Sequence, residues 1–271
     1  MSPQIRIQSR AAQRAVRPRP LLLYAITAAQ AQPNDTEAAP VRGVQDAPVS
    51  WIQEGAVAAL VSELPSPHLL DTPSCADILT FDGVLEHFAS VLTLLPVRYG
   101  TSASSETALR RLLRARGADY LHGLMEIDGC AEMCVRLLPG ALSAVLEPGE
   151  LAAARTAGDP SGGPGSDTGG RRARSLQTRR QQLDRVYALA RRYLEHFAPW
   201  ALRHRVDYSF RSYARESEPV LSLYFLIQRT ATHAFQEACR ALTELRPIRV
   251  LLSGPSPPLT FVPSLPMLAD P

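Results

Sequence analysis

Residues able to do acid–base or covalent chemistry are sparse in this 271-residue chain and stand apart from one another. The six histidines, His68, His87, His122, His196, His204 and His233, occur singly. Each would be a general base only if folding supplied a partner, and a lone histidine on a helix is ordinarily a surface residue. Cys75, Cys130, Cys134 and Cys239 form no CxxC pair and have no histidine at ligand spacing, so zinc is not expected. On a strand, Cys130 and Cys134 would be about 13 Å apart, too far to bridge. All four read as small packing residues. Ser253-Gly254 lacks the rest of a nucleophile elbow, and no HExxH, GxGxxG or paired-carboxylate motif occurs. All 29 basic side chains are arginines. Without lysine there is no P-loop lysine for a phosphate and no amine for Schiff-base or pyridoxal chemistry. The expectation is a protein that is not an enzyme, with no catalytic residues, no metal and no cofactor.

What remains is a chain built to fold and to touch other molecules. A hydrophobic content of 45% supplies a core, and the length suits two ordinary domains. The net charge of +3 is concentrated at the start, where Arg6, Arg10, Arg14, Arg17 and Arg19 precede the first acid, Asp35. That polybasic stretch reads as a short unstructured arm. The apolar run from Leu21 follows two prolines and is too short for a secretory h-region, and no stretch approaches the ~20 apolar residues of a membrane span. A cytoplasmic protein is expected.

The elements follow from apolar spacing. Leu21–Thr27 (LLLYAIT) is a strand, and Val49–Gln53 and Val57–Glu63 flank the turn signal Glu54-Gly55 as a hairpin that ends in the breaker-rich 65–73. Ile78, Phe81, Val84, Leu85, Phe88 and Leu92 mark a helix over 77–92. A second helix opens at Ser104 or Ser105 with Glu106 and runs through Leu124, with Arg110, Arg111 and Arg114 as a solvated face. Over 127–137, Ile127, Ala131, Met133, Val135 and Leu137 alternate with Asp128, Glu132 and Arg136, which predicts a half-buried strand. A helix starts over 149–157, and GDPSGGPGSDTGG (158–170) is a flexible insertion. Leu183, Val186, Tyr187, Ala190, Leu194 and Phe197 mark a long helix with Arg179, Arg180, Arg185, Arg191 and Arg192 on its other faces. Strands over 205–213 and 220–228, a helix over 230–243 and a strand over 248–253 complete the chain.

This order predicts an α+β protein of two domains, each a small, mainly antiparallel sheet covered by helices, with ferredoxin-like character in the C-terminal one. Its expected divisions are a disordered basic arm (1–19), an N-terminal α+β domain (20–140), a C-terminal α+β domain (141–265) carrying the flexible glycine-rich insertion (158–170), and a tail (266–271).

Local structure does not demand three segments: VAALVSELP (57–65), LPVRYGT (95–101) and LLSGPSPPLTFVP (251–263). LPVRYGT resembles the LPxRFGT signature of gas-vesicle GvpL/GvpF proteins, and GPSPPLTFV is similar to that family's C-terminal TGPWPPYSFV pattern. The likeness spans roughly residues 21–262. Ser256 and Leu259 stand where the family usually carries aromatic residues. In physical terms, Gly254 lets the chain leave the last strand at an otherwise disfavoured dihedral, and Pro255, Pro257 and Pro258 hold the exit extended, which fixes where Phe261 lands. The segment is either a rigid tie-down of the C-terminus or a contact surface. Arg98 either pairs internally with a carboxylate or carbonyl, or faces a partner.

The resemblance implies a gas-vesicle assembly or minor structural protein that engages the hydrophobic shell protein GvpA and other assembly proteins, acting in the cytoplasm at the gas vesicle. Arg98, Tyr99, Gly100, Gly254, Pro255, Pro257, Pro258 and Phe261 are its candidate interaction residues. The alternative is an arginine-rich nucleic-acid-binding regulator using the N-terminal arm and the helix at 179–192. It lacks interleaved aromatics and a recognised nucleic-acid fold, so nucleic acid is the weaker expectation.

Overall fold

The computed structural model describes residues 20–31, 41–65, 70, 72–137, 168–213, 216–245 and 250–262. The expected basic arm, the helix at 149–157, most of the glycine-rich tract and the 266–271 tail lie outside the described residues.

The first sheet is antiparallel and built on β1 (Leu21–Ala28), which is buried from Leu21 to Thr27. On one side lie β3 (Val57–Glu63) and then β2 (Val49–Glu54). On the other lie two short strands, β4 (Leu95–Pro96) and β5 (Ser102–Ala103). The β2–β3 hairpin turns where the sequence signals it, with Gly55 at φ +61°. Helix α1 (Cys75–Ala89) begins earlier than its apolar spacing suggests because Ser74 and Asp77 form a capping box. It packs through Phe81, Val84, Leu85 and Phe88, while Ile78, expected on that face, is exposed. Helix α2 (Glu106–Ile127) is capped by the Ser105 hydroxyl, which accepts from Ala108 N–H. Its arginines are not simply solvated. Arg114 donates to Glu54 through Nε (2.9 Å) and Nη2 (2.6 Å), Arg110 lies 3.6 Å from the same carboxylate, and Arg110 also donates to the Gln53 carbonyl. The helix is therefore clipped to the end of β2.

The second sheet comprises β6 (Cys130–Leu137), β7 (Ala201–Tyr213), β8 (Glu216–Gln228) and β9 (Val250–Ser256) in the order β7-β8-β6-β9, all antiparallel. With α3 (Thr168–Phe197) between β6 and β7, and α4 (Thr232–Leu245) between β8 and β9, the connection is βαββαβ, that of a ferredoxin-like unit. The strand that precedes residue 140 is thus the first strand of this sheet.

Four sequence expectations change here. The stretch at 127–137 is not half-buried: Ile127 ends α2, and β6, flanked by β8 and β9, is buried on both faces, Glu132 included. The last three residues of the tract expected to be flexible, 168–170, form the start of α3. A helix anchored by Val186, Leu189, Ala190, Tyr193 and Phe197 extends backwards at one hydrogen bond per residue ordered. Tyr187, expected on the packing face, is exposed. Of the cysteines, Cys130, Cys134 and Cys239 are buried, but Cys75 is exposed at the start of α1 and is no packing residue.

Met133, Val135, Leu137, Leu221, Leu223, Phe225 and Ile227 form one core with α3 and α4, where Phe197 stacks on Phe235 at 4.4 Å. Cys130 and Leu226 instead join the core of the first sheet, so the two sheets share apolar contact.

Candidate functional site

LPVRYGT lines the β1 edge. Leu95 and Pro96 pair with Ile26 and Ala25, and Ser102 and Ala103 pair with Leu22 and Leu21. Pro96 has no N–H to donate, which an edge position tolerates. Between these short pairings, Val97 N–H donates to the Tyr24 carbonyl and Leu23 N–H donates to the Thr101 carbonyl, each at 2.9 Å. The loop closes on itself: the Arg98 carbonyl accepts from Thr101 N–H (3.1 Å) and from its hydroxyl (2.8 Å), with Gly100 at φ +89°.

Tyr99 lies edge-on to Phe81 (5.3 Å), which stacks on Tyr24 (4.9 Å). Burial first, then the Asp77 charge and Tyr24, pushes the Tyr99 hydroxyl above its ordinary pKa. Arg98 does not take the internal role usual for arginines at such junctions. Its side chain is exposed and makes no hydrogen bond or ion pair with another described residue, because the tight 98–101 turn holds it on the outside of the loop.

The C-terminal segment is organised around Glu132, a residue that the alternation of β6 assigns to solvent. The β6–β9 register shifts so that Cys134 faces Ser253 while Glu132 faces Ser256. Gly254 (φ +108°) and Pro255, joined by a cis peptide, therefore form a bulge inside β9, and the strand does not end at Gly254. A β-carbon at Gly254 would stand 2.5 Å from the Glu132 carbonyl oxygen and 3.0 Å from Met133 Sδ. Pairing with β6 resumes at Ser256, whose hydroxyl donates to the Glu132 carbonyl (3.3 Å).

Pro257 and Pro258 then carry the chain back over β6. Leu259 N–H donates to the Pro257 carbonyl and Phe261 N–H to the Pro258 carbonyl. Thr260 donates both its N–H and its hydroxyl to the Glu132 carboxylate, each at 2.8 Å. Burial raises the pKa of Glu132 and these two bonds pull it back, with the rise prevailing. Phe261 is buried in the first core beneath the Arg203 guanidinium (5.8 Å from the ring), and Arg203 also reaches Glu126 of α2 (3.5 Å). Arg205 donates to the Thr260 carbonyl (3.4 Å).

Gly254 through Phe261 thus form one unit, whereas Arg98, Tyr99 and Gly100 form another on the β1 edge. Both Tyr99 and Phe261 pack against the first core. Sequence reasoning missed Glu132; the signal that could have found it is an acid within a strand whose nearest same-parity neighbours, Cys130 and Cys134, are uncharged. Among the described residues, no three His, Cys, Asp or Glu side chains converge as a metal site, and no helix is long and apolar enough to cross a membrane.

The geometry defines a two-sheet α+β protein whose motif segments are structural loops locked against the sheets. The sequence model of the gas vesicle synthesis protein GvpL/GvpF family matches residues 20–263, and the chain belongs to that family. Its fold is similar to the crystal structure of gas vesicle protein GvpF from Microcystis aeruginosa (17% identity, TM-score 0.67, covering 89% of this chain and 98% of that one). It is equally similar to that of GvpF from Anabaena sp. PCC7120 (18% identity, TM-score 0.67, covering 92% and 98%). A comparison with curated proteins returns no match.

Proposed function

We propose that this protein is a gas-vesicle assembly or minor structural factor that binds the hydrophobic shell protein GvpA in the cytoplasm and supports vesicle growth without catalysing a reaction. Family membership supports the vesicle role. The observation that carries a contact role is Arg98: a guanidinium exposed on a loop pinned by four hydrogen bonds, while Arg110 and Arg114 are tied to Glu54. A cation whose backbone is fixed and whose guanidinium is left uncommitted is available to an acceptor on another molecule.

Shell subunits that are apolar pair through exposed edges, so a protein that covers them through a sheet edge or an apolar helix face would hold them back from premature aggregation. Deleting the gene in its host and imaging cells by electron microscopy tests the role. Loss or malformation of vesicles, restored by the wild-type gene, is expected. Normal vesicles in the deletion strain would sink the proposal.

A further inference from the structure

The two outer strands of the second sheet, β7 and β9, are defended very differently. β7 exposes Leu202 but flanks it with the exposed Arg203 and Arg205, charges of the kind that stop another strand from adding. β9 has no such defence. From Val250 to Val262 the chain carries no charged residue, Leu251 is 48% exposed and Leu259 beyond the bulge is 42% exposed. Val250 and Leu252 pack inward against the second core, and no described residue pairs with the outer side of β9.

We infer that the outer edge of Val250–Ser253 is a docking strand that takes an extended, uncharged, apolar segment of the shell protein as a fifth strand of this sheet. The inference rests on the assembly function proposed above. The edge N–H and C=O groups are open to water, and a whole row of them is matched at once only by another extended backbone, which sets the shape of the occupant. A charged segment would lose its hydration against Leu251 and find no counter-charge between Val250 and Val262, while Arg136, opposite Leu251 on β6, lies one strand further in and donates to Ser222, so an uncharged occupant fits best. The bulge at Gly254 and the missing N–H groups of Pro255, Pro257 and Pro258 stop the pairing at Ser253, so the addition is short. The Glu132–Thr260 bonds hold the following loop in place, so little order has to be created on docking.

Hydrogen–deuterium exchange on the full chain, alone and co-purified with GvpA, tests this directly and needs no variant. The outward-facing amides of Val250–Ser253 should exchange at least about tenfold more slowly in the complex, and Leu251→Arg should cut GvpA capture by a similar factor. Capture with protection elsewhere and unchanged exchange at 250–253 would overturn the docking edge while leaving the assembly function standing. Failure of the wild-type chain to capture GvpA would overturn both. Protection of 250–253 in the chain alone that grows with its concentration would mean a second copy occupies the edge, and the inference would fail.

Discussion

Glu132 and Thr260, 128 positions apart, are joined by two hydrogen bonds of 2.8 Å, so one buried carboxylate of β6 fixes the whole C-terminal motif. Phe261 follows directly and enters the first core, which makes this pairing the point where the last strand of one sheet is tied to the interior of the other.

Removing that acceptor strands two donors. Glu132→Ala should lower stability by about 2 kcal/mol, the usual cost of leaving polar groups unpaired in a part-buried site, and Glu132→Gln, which keeps an acceptor oxygen, should cost less. Chemical denaturation of the three proteins at neutral pH checks the order.

The same residue makes stability pH-dependent. Burial raises the Glu132 pKa in the folded protein above that of an unfolded glutamate. Its contribution is therefore complete below the unfolded value of about 4.3 and is lost as pH rises from there through the raised folded value. Glutamine does not titrate, so the stability of the wild type relative to Glu132→Gln should fall as pH is raised through that window. Denaturation midpoints at a series of pH values that show a constant offset would contradict this.

Two motif glycines should respond unequally to alanine. At Gly100 the space is open and only φ +89° is unfavourable, whereas at Gly254 φ is +108° and the new methyl meets backbone at 2.5 Å. Gly100→Ala should cost about 1–2 kcal/mol, within the range for a strained backbone, and Gly254→Ala clearly more, because β6 must also shift. Thermal melts compare them.

Tyr24 and Tyr99 share one aromatic stack but not one role. The Tyr24 hydroxyl accepts from Val44 N–H and bonds Ser62, both at 3.0 Å, while the buried Tyr99 hydroxyl has no partner among the described residues. Tyr24→Phe should cost about 1–2 kcal/mol and Tyr99→Phe close to nothing, or a slight gain. Equal losses would show that the two hydroxyls are used alike.

Much of this architecture is legible in the chain because local physics decides it. LLLYAIT, the Glu54-Gly55 turn and the spacing of Phe81, Val84, Leu85 and Phe88 each commit a segment before any long-range contact forms. The burial of Glu132 is not legible in that way. Alternation tells which residues share a face of β6, but only the pairing with β8 and β9 decides what covers each face. Gly254 is similar: a positive φ is foreseeable, whereas whether the strand ends there or bulges depends on the register across β6. Family likeness picks out Arg98 and Phe261, yet one is exposed and the other buried because of loops whose anchors lie far along the chain.

The proposed binding of the shell protein is measured most directly by sedimentation of GvpA with and without the purified chain. The wild type should keep GvpA in the supernatant. Arg98→Ala should weaken that effect while its own stability stays within about 0.5 kcal/mol of wild type, as for an exposed unpaired side chain. GvpA that pellets equally in the presence and absence of the wild-type chain would contradict a shell-binding role.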